Sequence, residues 1–138
     1  MKILIIGQAP PAVKQGVPYD TTQLYDWLKE VGVDKDAAQE LFDFDAVYDK
    51  FPGFANGGHA IPTKEQMEDY WKRSLKEKVV NHQKIWIVGK VAYDFLSTKK
   101  EMKDKKIIKT IHPSKRNLDY YKRNKIEIIN SISSLIFN

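Results

Sequence analysis

Residues 3–11 read Ile3-Leu4-Ile5-Ile6-Gly7-Gln8-Ala9-Pro10-Pro11. Ile3 to Ile6 is an unbroken aliphatic run, which predicts a short strand buried on both faces, as in a parallel sheet. Gly7 ends it. The loop that follows cannot continue a helix or a central strand, because each proline lacks an N–H donor and restricts the residue before it. An irregular loop at the carboxyl end of a first buried strand marks a candidate site.

Length and composition narrow the class. A chain of 138 residues is the size of one ordinary domain, 1–138, and buries a core without covalent staples. With no cysteine there is neither a disulfide framework nor thiolate chemistry, which suits a cytoplasmic protein. The three histidines, His59, His82 and His112, have no paired ligand spacing, so no metal site is expected. No apolar run approaches the length of a membrane span, and no basic segment followed by an apolar stretch opens the chain.

The net charge of +5 is unevenly spread. Asp20 to Asp49 holds nine acidic residues against two lysines, whereas Lys99 to Lys125 holds eleven basic residues against three acidic ones. The basic stretch suits a polyanion, although a solvated lysine-rich face reads the same way.

Strands and helices alternate along the rest of the chain. Leu24, Trp27, Leu28 and Val31 have helical spacing over 21–31, with Asp20 or Thr21 as N-cap and Gly32 as a stop. A second short helix is expected over Lys35 to Phe42, then a brief strand at Ala46-Val47-Tyr48 and a loop rich in glycine and proline from Lys50 to Pro62. Thr63-Lys64-Glu65-Gln66 fits a capping box, and Met67, Tyr70, Trp71 and Leu75 form an apolar stripe behind it. Ile85 to Val88 reads as a second buried strand and Ile107 to Ile111 as another strand. The first ends at Gly89 and leads to a helix bearing Val91, Ala92, Phe95 and Leu96; the second runs into His112-Pro113-Ser114. A last helix is expected over Leu118 to Phe137.

This alternation predicts a mostly parallel sheet covered on both faces, with ligands beyond the carboxyl ends of its strands. Gly7-Gln8-Ala9-Pro10, Gly89-Lys90 and His112-Pro113-Ser114 all follow strand ends. They should gather at one edge.

Taken together, these residues resemble the uracil-DNA glycosylase superfamily. The resemblance rests on LIIGQAPP with GVPY nine residues on from Gly7, on the IWIVGKVAYDFL strand-to-helix junction, and on IKTIHPS. It covers nearly the whole chain and implies a three-layer α/β/α sandwich around a four-stranded, mostly parallel sheet. It also implies a monofunctional DNA glycosylase, a monomer hydrolysing the N-glycosidic bond of uracil or a related damaged or modified pyrimidine. Simple hydrolysis needs no cofactor. The partner implied is single- or double-stranded DNA, or a free nucleobase or nucleotide.

The resemblance also assigns roles. Tyr19 stands where the family places an aromatic ring against the flipped base, and the plain alternative is a tyrosine that closes its loop onto the core. His112 stands where the family donates to the uracil O2; its alternative is a strand-end histidine bonded to backbone. A donor preorganised at that point lowers the barrier because cleavage leaves the base anion-like. Gly7, Gln8, Ala9 and Pro10 would frame the base, with Ser114 at the pocket margin. Lys115, Arg116 and Asn117 would meet DNA where the family's last loop enters the minor groove; the plain alternative is a basic loop.

The sequence departs from the family pattern in two places, the first loop and the end of the second strand. Ala9 replaces the aspartate that positions the attacking water in some branches, and Gln8 replaces the glutamate of others. An amide cannot act as a general base, so the carboxylate at Asp20 is the substitute in this loop, in competition with its role as a helix cap. Ala46 stands where similar proteins carry an asparagine that reads the uracil edge. Either another polar group, Asp45, Asn56 or His59, takes over, or the base is not uracil. A glycosylase, a pocket protein that binds without hydrolysis, and a bare scaffold are the three readings that follow.

Overall fold

The computed structural model describes residues 2–10, 22–55, 58–113 and 117–138, with the side chains of all but residues 58 and 59. β1 (Ile3–Gly7) leads to α1 (Thr22–Glu30) and α2 (Lys35–Leu41), and β2 (Phe42–Ala46) follows α2 directly. β3 (Phe54–Ala55) and β4 (Gly58–His59) form a small antiparallel hairpin. α3 (Lys64–Tyr70) passes through a π-helical turn (Trp71–Leu75) into α4 (Lys76–Val80). Then come β5 (Lys84–Val88), α5 (Lys90–Leu96), a 3₁₀ turn (Lys100–Met102), β6 (Lys106–Thr110) and α6 (Leu118–Phe137).

β2, β1, β5 and β6 make one sheet in that order, with every pairing parallel. The expected neighbours β1, β5 and β6 are adjacent, and their carboxyl ends share an edge. Successive side chains of a strand point to opposite faces, so the two central strands feed two cores. Ile3, Ile5, Trp86 and Val88 pack with α1 and α6 on one face. Leu4, Ile6, Ile85 and Ile87 pack with α3, α4 and α5 on the other. Full burial of each such side chain stabilises by roughly 1.5–3 kcal/mol, which is why an uninterrupted aliphatic run belongs at the centre of the sheet.

The second strand differs from expectation. It spans Phe42–Ala46 rather than 46–48, and α2 stops one residue earlier than predicted. Phe42 and Ala46 face the α1/α6 core, while Asp43 and Asp45 alternate to the opposite side. Two acidic residues hide the strand from a hydrophobicity reading. Distant partners accommodate them. Asp45 is 5% exposed, and its Oδ1 accepts from Tyr70 Oη at 2.7 Å and from the Ala46 amide at 2.7 Å; its Oδ2 lies 2.6 Å from Lys78 Nζ. Asp43 Oδ2 lies 2.7 Å from His82 Nε2.

The Thr63 capping box forms, with Thr63 Oγ1 accepting from the Gln66 amide at 3.1 Å and Gln66 Oε1 accepting from the Thr63 amide at 2.9 Å. Thr63 thus sets where the crossover from β2 to β5 begins. The last helix is bent: Asn124 has φ −117° and ψ 20°, and its side-chain amide donates to the Tyr120 carbonyl at 2.9 Å. That bond competes with the helix ladder and accounts for the kink. Among the described residues no helix is long and apolar enough to cross a membrane.

Candidate active site

Parallel topology brings four strand ends to one edge. Gly7 and Ala46 are register partners at the ends of β1 and β2, and the Val47 amide donates to the Gly7 carbonyl at 3.0 Å. Across β1, the Gly89 amide donates to the Thr110 carbonyl at 2.9 Å, so β5 and β6 also end together. Gln8, Ala9 and Pro10 continue from Gly7 in half-buried positions, and half-buried His112 follows β6 two residues after Thr110. The groups singled out by sequence at 7–10, 46, 89 and 112 thus stand at a common edge.

Gly89 governs the approach to His112. It has φ +94° and ψ 160°, a conformation that side chains rarely adopt, and a β-carbon there would sit 3.5 Å from His112 Cβ. The histidine therefore rests against the turn between β5 and α5. Its carbonyl accepts from Asn117 Nδ2 at 2.9 Å, which ties the strand end to the start of α6. Thr110 is anchored from below by Trp86, whose Nε1 donates to Thr110 Oγ1 at 2.9 Å in the core. A buried hydrogen-bonded pair of this kind fixes the strand end from which His112 departs.

Ala46 is 1% exposed and packs into the α1/α6 core. The carboxylate of Asp45 is turned away from Ala46's face and is occupied by Tyr70, Lys78 and the adjacent amide. Burial first, and then the hydrogen bond to this carboxylate, push the Tyr70 phenol well above its ordinary value. Asp45 thus holds the β2 end against α3 and α4. Tyr19, Asp20, Ser114, Lys115, Arg116 and Asn56 lie outside the described residues, as does the side chain of His59.

The loop after β2 adds groups that the sequence reading passed over. Arg73, on the π-helical turn, reaches Asp69 at 2.6 Å and both carboxylate oxygens of Asp49 at 3.4 Å. The Asp69 bond, followed by that to Asp49, raises the guanidinium above its ordinary value. This clamp fixes the base of the loop. At its tip, Phe51 and Phe54 meet edge to face with ring centroids 5.0 Å apart, and Phe54 is 73% exposed. Phe51 and Phe54 carried the signal, two aromatics inside a stretch otherwise rich in glycine and proline.

One further feature bounds the site. Lys109, on β6, lies over the Tyr93 ring of α5 at 4.1 Å from its centroid, placing a cation close to the strand end. A cavity of about 240 Å³, lined by Lys2, Ile3, Leu41, Gln83, Lys84 and Ile136, lies at the amino-terminal ends of the strands, opposite the candidate site. Among the described residues no group of three histidine or acidic side chains is placed to hold a metal ion.

No curated protein gives a significant match to the chain. The family model described as the uracil DNA glycosylase superfamily matches residues 1–133, which spans the first strand, the shared carboxyl edge and most of α6. With that match over nearly its whole length, on a parallel α/β/α sheet whose strand ends assemble the two motif loops, the chain belongs to the uracil-DNA glycosylase superfamily.

Proposed function

We propose that this single-domain protein hydrolyses the N-glycosidic bond of uracil, or of a related damaged or modified pyrimidine, in DNA. The observation that carries this reading is the meeting of the Gly7–Pro10 loop and His112 at one carboxyl edge, with Gly89 left bare of a side chain beneath the histidine. A flipped base held between them would have its leaving-group oxygen within reach of an imidazole donor. The bond from C1′ to the base nitrogen breaks with its electron pair passing to the base, and His112 stabilises that developing charge. Water adds to C1′. Its proton passes to a carboxylate, for which Asp20 is the candidate, because Gln8 can orient water but cannot accept the proton. Tyr19 would stack on the base, and Lys115 and Arg116 would contact phosphates.

A second reading is favoured by Ala9 and Ala46, which leave the family's water-positioning and edge-reading positions without polar side chains. On that reading the pocket binds a base, nucleotide or DNA without cleaving it. Incubation with oligonucleotides containing uracil, hydroxymethyluracil, hypoxanthine or a mismatch, followed by alkaline cleavage, decides between the two. Strand scission at the modified position supports hydrolysis; binding to the same oligonucleotides without scission supports the pocket protein.

A further inference from the structure

Residues 47–63 join the carboxyl end of β2 to the start of α3, so parallel topology confines this segment to the same edge as Gly7 and His112. Within it, the β3/β4 hairpin pairs Phe54 with His59 and Ala55 with Gly58, and the Ala60 amide closes on the Gly53 carbonyl at 2.8 Å. Gly53 has φ +99°, the left-handed geometry that turns the chain into the hairpin. Below, the Asp49–Arg73–Asp69 clamp ties the loop to the helical layer. Phe54 is 73% exposed and Ile61, on the same segment, is 61% exposed, with Phe51 braced edge-on behind Phe54.

We infer that Phe54 is a stacking platform for a nucleobase of the bound DNA strand, outside the base pocket and on the β2 side of the site. Every base has a π-face, so one exposed ring grips a strand without reading its sequence. Lys50 and Lys64, on either side of the hairpin, are exposed and within reach of a strand's phosphates, while Asp49 and Asp69 share the Arg73 guanidinium. A single ring with flanking lysines is too small for a stable protein interface, which needs about 800 Å² on each partner. The inference rests on the glycosylase reading only in placing DNA at this edge.

The test uses the full chain and fluorescein-labelled oligothymidylate, with a duplex containing one unpaired thymine as the second probe. Phe54→Ala should weaken binding by about 5- to 150-fold while leaving the salt dependence unchanged, because stacking releases no counterions. Phe54→Trp should retain affinity, and its emission should be quenched on saturation. The native tryptophans, Trp27, Trp71 and Trp86, are at most 5% exposed, so the new signal reports the hairpin. Circular dichroism of each variant guards against misfolding. Parent-like affinity of Phe54→Ala, unquenched emission of Phe54→Trp, or a parent that binds neither probe would each overturn the inference. Binding with quenching but no base release from any modified oligonucleotide would remove hydrolysis and leave the stacking role intact.

Discussion

A β-carbon built on Gly89 would lie 3.5 Å from His112 Cβ and 3.8 Å from its Cδ2, so the turn after β5 is the floor beneath the histidine that follows β6. The Gly89 amide bonds the Thr110 carbonyl two residues before that histidine, at 2.9 Å. Two loops distant in sequence therefore behave as one structural unit, and substitutions in the turn should be felt at the site.

Gly89→Ala tests that unit. The 3.5 Å contact is ordinary van der Waals packing, so the cost comes from the backbone, held at φ +94° where a side chain is strained. Such strain is worth about 1–3 kcal/mol. Urea unfolding should show a lower midpoint at unchanged slope. A midpoint equal to the parent's would mean that the turn relaxes freely and does not set the position of His112.

Asp45 supplies the second prediction. Its carboxylate is buried and accepts from Tyr70 Oη at 2.7 Å, while the Lys78 partner is 46% exposed. Solvent screens the Lys78 end of the pair, but Asp45 Oδ2 is buried with Lys78 as its close partner, so Lys78→Met should cost more than the ~1 kcal/mol of an exposed pair. Asp45→Ala strands a buried hydroxyl and amide and should cost roughly 1–3 kcal/mol. Tyr70→Phe in the Asp45→Ala background should then cost less than in the parent. A double-mutant cycle with no coupling between residues 45 and 70 would contradict this assignment.

The same acidic strand explains what could and could not be read from sequence. β1 and β5 were legible to within a residue because aliphatic runs leave little choice of environment, β6, a half-exposed edge strand, because of its β-branched residues, and the Thr63 cap because its two bonds are local. β2 was not. In Phe42-Asp43-Phe44-Asp45-Ala46 the carboxylates are accommodated by Tyr70, Lys78 and His82, which lie 25 to 39 residues away and are brought in only by the crossover helices. The stripe of Met67, Tyr70, Trp71 and Leu75 gave the helix but not its π turn, since widening by one residue leaves the apolar face in place. At the site, sequence located Gly7 and His112 by their strand ends, whereas the hairpin bearing Phe54 consists of two-residue strands too short for any periodicity.

Asp43 makes stability depend on pH. Burial raises its carboxyl, but the hydrogen bond to His82 and the charges of Lys2 and His82 outweigh it and hold the group below its ordinary 3.8. In acid, the unfolded chain therefore binds the proton more readily than the folded one. The stabilisation is fully present above that ordinary value and is lost as pH falls through the lower folded value. Asp43→Asn should flatten this part of the acid-unfolding profile. Identical acid limbs would show that the Asp43 contacts add nothing to the folded state.

The last prediction separates the two residues that close the site loop. His112→Ala removes the proposed donor to the leaving base, an interaction that strengthens only as charge develops. Single-turnover cleavage should slow by about 10²–10³-fold with little change in substrate affinity. Asn117 acts one step removed: its Nδ2 donates to the His112 carbonyl at 2.9 Å and braces the backbone that carries the imidazole. One such bond is worth about 0.5–1.5 kcal/mol, so Asn117→Ala should slow cleavage by no more than roughly tenfold, with DNA affinity preserved. A phosphate-contacting Asn117 predicts the reverse, weaker DNA binding with an unaltered single-turnover rate at saturating protein. Parent-like rates for both variants on a substrate that the parent cleaves would place the leaving-group donor elsewhere and return His112 to a structural role.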